Sequence, residues 1–142
     1  MIQINYPASK PLIKKSDQQE LIFCAVRKKW IVLTPEEWVR QNFILYLHET
    51  LGYALSLMAV EKKIASNEVH RRFDIVVYTN EMKPHFLVEC KEMKVELNET
   101  TLQQALNYFS KIQSNCLVIT NGNQTFAFEK KGNELIELNE LK

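Results

Sequence analysis

Two carboxylates and one ammonium sit where a buried strand ordinarily carries no charge. Asp74 interrupts the apolar run Phe73, Ile75, Val76 and Val77. Glu89 and Lys91 close the run Phe86, Leu87 and Val88. Between the runs lies Thr79-Asn80-Glu81-Met82-Lys83-Pro84, a stretch rich in bend-forming residues. Two antiparallel strands joined by a loop are expected. Side chains alternate between faces along a strand, so Leu87, Glu89 and Lys91 share one face. Glu89 and Lys91 then stand roughly 6.6 Å apart, from a rise of ~3.3 Å per residue. A neighbouring strand is ~4.8 Å away, which brings Asp74 opposite Glu89 if the register allows. Two carboxylates that close repel, and a divalent cation relieves the repulsion. Hard oxygen donors with few protein ligands suit Mg²⁺. Lys91 is then free to act on an attacking water or on phosphate charge.

The pattern D-x14-E-x-K at the ends of apolar strands resembles the PD-(D/E)XK nuclease superfamily. After it comes T-L-Q-Q-A-L-N-Y-F, in which Gln104 and Tyr108 resemble the Q-x-x-x-Y motif of RecB-type nucleases. Upstream, Pro35 to Gln41 (P-E-E-W-V-R-Q) and Leu51 to Tyr53 (L-G-Y) look like the N-terminal domain of the restriction subunit of type I restriction enzymes. V-E-C-K and V-I-T-N-G fit that family too. The resemblance spans about residues 34–122, and Phe73 stands where the superfamily name has Pro. It implies a restriction-endonuclease-like α/β fold, a mixed sheet flanked by helices in an αβββαβ core. It implies an Mg²⁺-dependent DNA endonuclease, with Mn²⁺ as substitute. Asp74, Glu89 and Lys91 are its catalytic set. Asp74, Glu89 and the Cys90 backbone carbonyl are its metal ligands, with Glu37 as a further candidate. Gln104, Tyr108, Arg40, Arg71 and Arg72 are its substrate contacts. DNA and the translocase or specificity subunits of a restriction system are its partners. The alternative is a non-catalytic DNA- or protein-binding module of the same fold.

Local sequence signals outline the elements that must position these groups. Residues 1–19 form an irregular arm with room for one short strand. Leu21 to Val26 and Trp30 to Leu33 flank Arg27-Lys28-Lys29 as a hairpin with a basic tip, solvated or touching phosphate. Thr34-Pro35-Glu36-Glu37 starts a helix: Thr34 caps, Pro35 fits the first turn, and Glu37 completes a capping box. Glu37 therefore has a structural reading beside its metal-site one, and Arg40 and Gln41 have that of a solvated helix face. The helix is expected to reach Leu51, with Gly52 ending it. Residues 54–64 form the next strand, interrupted by Glu61, which pairs with Lys63 or a cross-strand lysine or, as the lesser alternative, supports the site. Ser66-Asn67 reads as a turn, and His70-Arg71-Arg72 leads into the Asp74 strand. A second helix is expected near Thr100, with Gln103 at the capping-box position. Its core face is Leu102, Ala105, Leu106, Phe109 and Ile112, and Gln104 and Tyr108 flank that face. Cys116 to Thr120 reads as a buried, parallel strand. Two half-exposed edge strands are expected near 125–129 and 134–138.

Composition limits the remaining possibilities. With 142 residues, 46% hydrophobic and 25% charged, the chain has the balance of one globular domain, residues 1–142. Its net charge of +1 gives no overall basic field. Cys24, Cys90 and Cys116 are widely spaced without a C-x-x-C pair, which speaks against zinc and for free thiols. Three glycines leave no phosphate-binding loop of the ATP-driven motors. No apolar run reaches the ~18 residues of a membrane span, so a cytoplasmic, membrane-free setting is expected.

Overall fold

The computed structural model describes residues 1–65 and 70–142. Thr34 caps the first helix as its sequence implies, its hydroxyl accepting from the Glu37 backbone N–H at 3.0 Å. Helix α1 covers Pro35–Leu45 and widens into a π-helical turn, Tyr46–Thr50, before Gly52. The capping box is only half made. The Glu37 carboxylate turns into the interior, where it accepts from the Gln41 side chain at 2.9 Å.

Three strands precede α1: β1 (Ile13–Ser16), β2 (Gln19–Cys24) and β3 (Lys29–Val32). They form a small antiparallel sheet of their own. After α1 and a 3₁₀ turn come β4 (Met58–Ala65), β5 (His70–Tyr78) and β6 (Pro84–Cys90). Helix α2 (Glu99–Phe109), β7 (Cys116–Thr120), β8 (Thr125–Lys131) and β9 (Glu134–Glu137) complete the chain. The six later strands form one sheet in sequence order. Every neighbouring pair is antiparallel except β6 and β7. That parallel pair results from the α2 crossover, since a short turn cannot return a strand in the same direction. The architecture is mixed α/β.

The two helices cover opposite faces of the large sheet. Val39, Phe43, Ile44 and Leu47 of α1 and its extension pack on Ile75, Val77, Val88 and Val118. Ala105 and Phe109 of α2, with Ile112, pack on Phe73, Val76, Leu87, Leu117 and Ile119. All five residues of β7 are buried, because it lies centrally between the helices. The N-terminal arm is tied down more firmly than expected. Ile2 is buried, and its N–H donates to the Thr125 carbonyl at 2.7 Å.

The alternation of β5 is broken beside its aspartate. Strict alternation would put Phe73, Ile75 and Val77 on one face. Instead Phe73 joins Val76 on the α2 side, and Ile75 and Val77 pack on the α1 side. The slip falls at Asp74. The register pairs Val60 with Ile75 and Lys62 with Phe73, which brackets Glu61 and Asp74. Glu61 has a left-handed backbone at φ 53°, a local twist of the edge strand opposite the aspartate.

Other expectations are corrected. Helix α2 is capped by Asn98, whose side chain accepts from the Thr101 N–H at 3.0 Å. Gln103 bonds to Asn107 rather than closing a capping box. Strand β8 is largely buried because β9 covers its edge, so of these two β9 alone is an exposed edge strand. The turn read at Ser66-Asn67 lies outside the described residues.

Two glycines separate strain from crowding. Gly52 and Gly122 both have positive φ, at 83° and 91°. A Cβ on Gly52 would meet nothing within 4 Å, whereas on Gly122 it would lie 3.1 Å from the Tyr6 hydroxyl. Gly52→Ala should cost about 1–2 kcal/mol from the left-handed backbone alone. Gly122→Ala should cost measurably more in urea unfolding; equal losses would show that Tyr6 yields freely.

Candidate functional site

The β5–β6 ladder ends at the pair Ile75 and Val88. One step further, the same register sets Asp74 across from Glu89. The strands no longer bond to each other there. Instead the Cys90 N–H donates to Asp74 Oδ2 at 2.7 Å, so the aspartate stands in for the missing strand partner. Arg40 reaches down from α1 and donates to Asp74 Oδ1 at 2.9 Å.

Arg40 is the hub of a carboxylate cluster. Its guanidinium lies 3.1 Å from Glu37, 3.5 Å from Glu36 and 3.5 Å from Glu61, besides Asp74. Only 5% of the residue is exposed. The expected solvated helix face at Arg40 and Gln41 is therefore corrected: both are buried, and Gln41 bridges Glu37 and the Ala25 backbone. Arg40 does not stand free at a surface for substrate. Glu61 pairs with Arg27 at 3.1 Å as well as with Arg40, not with a lysine. The β2–β3 turn is thereby linked to the cluster.

Glu89 is held from the other side of the sheet. It shares the α2 face with Leu87. Its Oε1 accepts from Arg71 Nε at 2.9 Å, from the Arg71 terminal nitrogen at 2.6 Å and from the Tyr108 hydroxyl. The Arg71 guanidinium also lies over the Tyr108 ring, 3.9 Å from its centre. Arg71, Glu89 and Tyr108 thus form one unit, and Tyr108 of the Q-x-x-x-Y stretch faces the E-x-K strand. Gln104, one turn earlier, is exposed and makes no side-chain hydrogen bond with the described residues. Arg72 is also exposed. Lys91 is half-buried; its N–H donates to the Thr120 carbonyl at 2.8 Å, and its ammonium has no ion-pair partner among the described residues.

The two central carboxylates are thus neighbours, each neutralised by its own arginine from its own face. Among the described residues, no group of three or more His, Cys, Asp and Glu side chains gathers around one ion position. Asp74 still feels the crowding. Burial pushes its carboxyl up to about 6, and the nearby Glu36 and Glu89 add to the rise, while the Cys90 N–H and Arg40 oppose it. The Tyr108 phenol is pushed far above its ordinary value by burial and by Glu89, so it stays neutral and donates a hydrogen bond to the carboxylate.

Glu36 is not among the expected site residues, and Glu61 is expected at the site only as a lesser alternative. Glu36 left no signal, being one acid in a helix start, although Glu61 did interrupt an apolar run. A groove of about 470 Å³ adjoins the segment after Lys91, lined by Leu33, Pro35, Trp38, Glu92, Met93 and Lys94 among others. It too was invisible in the linear order.

The raised Asp74 carboxyl has a stability consequence. Between pH 4 and 6 the folded chain holds a proton that the unfolded chain has released, so Asp74 lowers stability as pH rises through that window. Each unit of displacement is ~1.4 kcal/mol. Asp74→Asn should therefore gain on the order of 1–3 kcal/mol relative to the parent between pH 4 and pH 7. Urea unfolding across that range checks it; a constant difference would mean the carboxylate is already ionised at pH 4.

Comparison with known proteins bears on the same residues. The family described as type I restriction enzyme R protein N terminus (HSDR_N) matches residues 35–141, from the first residue of α1 to beyond β9. No curated protein matches. The matched span holds α1, the whole six-stranded sheet and α2, with Arg40, Asp74, Glu89, Lys91 and Tyr108. By that match over most of its length, the chain belongs to the family of type I restriction enzyme R protein N termini.

Proposed function

We propose that the chain is a PD-(D/E)XK-type nuclease domain of restriction-endonuclease-like fold that hydrolyses DNA phosphodiester bonds with Mg²⁺, or Mn²⁺ in its place. The observation that carries this reading is that Asp74 and Glu89 meet at cross-strand positions at the end of the β5–β6 ladder, their carboxylates held by Arg40 and Arg71 from opposite faces, with Lys91 two residues after Glu89 and without an ion-pair partner among the described residues. Family membership makes restriction-modification its setting. The reading extends to DNA as substrate, to translocase and specificity subunits as partners and to a cytoplasmic location. No helix among the described residues is long and apolar enough to cross a membrane.

The residues fit a hard divalent cation in charge and donor type. Glu36, Glu37, Glu61 and Asp74 crowd on Arg40, with Arg27 as the second cation. Burial pushes Asp74 up to about 6, and Glu36 and Glu89 add to the rise. Asp74, Glu89 and the Cys90 carbonyl would hold the ion, with Glu37 nearby, and Arg40 and Arg71 would yield their places on the carboxylates. When bound, the ion supplies Lewis-acid polarisation of a phosphoryl oxygen. Lys91 cannot be a ligand, because an ammonium repels a cation. Its work is to orient the attacking water or to offset charge on the phosphate. Tyr108 keeps Glu89 aimed; Gln104 and Arg71 on that flank, and the exposed Arg72 next to Arg71, are available to the DNA backbone.

A second reading rests on a specific observation. Arg40 and Arg71 already neutralise Asp74 and Glu89, as in a non-catalytic module whose carboxylates have become structural. Replacing Lys91 with Ala separates the two. It should lower Mn²⁺-dependent cleavage of plasmid DNA ~10²–10³-fold while leaving Mn²⁺ binding intact. Asp74→Ala should also abolish cleavage, but with loss of Mn²⁺ binding by calorimetry. Unchanged cleavage by Lys91→Ala would remove it from the mechanism. No cleavage by the parent with Mn²⁺ and its restriction-system subunits would leave the non-catalytic module.

A further inference from the structure

We propose that the outer face of the β1–β2–β3 sheet is a stacking platform for single-stranded nucleic acid, and that the basic β2–β3 turn leads the strand to the rim of the acidic cluster. Only the second half rests on the nuclease reading.

The register builds the platform. Lys14 pairs with Leu21, Leu21 with Val32, and Phe23 with Trp30. Directly paired residues share a face, and positions two apart along a strand join them. Lys14, Leu21, Phe23, Trp30 and Val32 therefore lie together. The opposite face carries Ile22 and Cys24, both fully buried, and α1 packs on that strand. The outer residues belong to neither core of the molecule. Phe23 and Trp30 meet edge to face with ring centres 5.4 Å apart. The Lys14 ammonium lies 4.3 Å from the Trp30 ring centre. A half-buried aromatic pair with an ammonium over one ring suits an incoming base: the base takes the ring face and the flexible lysine moves to its phosphate.

Charge selects the occupant. Residues 10–32 carry six lysines and arginines against two carboxylates, in a chain whose net charge is only +1, so the rest of the molecule is net negative. An apolar protein partner has no need of that excess, whereas a polyanion does. Stacking on sheet aromatics needs unpaired bases, so a single strand fits better than a duplex. The turn gives direction. Arg27 holds Glu61 at 3.1 Å, and Glu61 lies 3.5 Å from Arg40 in the carboxylate cluster. Lys28 and Lys29, both exposed, come directly after Arg27. They offset the repulsion that the carboxylates exert on a phosphate backbone.

Fluorescence anisotropy with a labelled oligothymidylate of about 20 nucleotides, in EDTA at low salt, tests the platform without any cleavage. Trp30→Ala should weaken binding roughly 5- to 150-fold, the loss of one stacked base. Trp30→Phe should retain most of the affinity, with both variants checked for an unchanged melting temperature. Lys28→Ala with Lys29→Ala should lower the salt slope by about 1.4, at ~0.7 per phosphate contact. Absent binding by the parent, equal binding by folded Trp30→Ala, or equally tight binding of a duplex would each overturn the proposal. A platform that fails in EDTA while Mn²⁺-dependent cleavage persists leaves the nuclease reading standing. Strand binding without cleavage leaves the platform standing alone.

Discussion

The guanidinium of Arg40 is the interaction on which the rest of this molecule's polar architecture depends. It is almost wholly buried and stands within ion-pair distance of Glu36, Glu37, Glu61 and Asp74. Glu36 and Glu61 remain at the surface, but burying the Arg40 or Glu37 charge alone costs several kcal/mol, on the order of the whole stability of a small domain. Together they are tolerated because each desolvated charge has a partner. Arg40 thereby joins α1 to both β4 and β5, and through Glu61 to the β2–β3 turn. Hydrophobic packing holds α1 on the sheet; the guanidinium decides where along the sheet its first turns come to rest.

Such a cluster is a weak stabilising device, since apolar residues of similar volume serve a core as well or better. The carboxylates outnumber the arginines, and Asp74 is held where its ionisation is opposed by burial and by other acids. Groups displaced in this way concentrate where chemistry is done. The fold supplies the means. A central strand ends its ladder, a side chain takes over the lost hydrogen bond, and the edge strand twists at Glu61. Each step moves a carboxylate out of simple alternation and toward the end of the sheet.

The two faces contribute differently. On the α1 side the aspartate sits in a crowded, many-membered cluster. On the α2 side the glutamate belongs to a closed unit with Arg71 and Tyr108, in which the phenol donates and the guanidinium both bonds and stacks. A cation shared by both carboxylates would have two local equilibria to shift, one on each face. The two arginines that pair with these carboxylates occupy the ligands that a nuclease would need.

Much of this was legible in the linear sequence. Charged residues inside apolar runs marked Asp74, Glu89 and Lys91, because burying charge is too costly to occur without cause. Thr34-Pro35 marked the helix start, and the apolar run at 116–120 marked the central strand, because capping and period are local properties. The i, i+4 spacing put Gln104 and Tyr108 on one flank for the same reason. What the linear order left open was set by contacts between distant segments. It could not reveal that Arg40 turns inward, since an arginine in a helix is as compatible with solvent as with a buried cluster. It could not tell that Glu61 meets Arg27 and Arg40, or that Tyr108 meets Glu89 while Gln104 remains exposed. Nor could it show the slip at Asp74, which arises only when β4 and β5 pair. Local physics determined which residues were unusual; tertiary packing decided which of them met, because partners for buried charge are found across the fold and not along the chain.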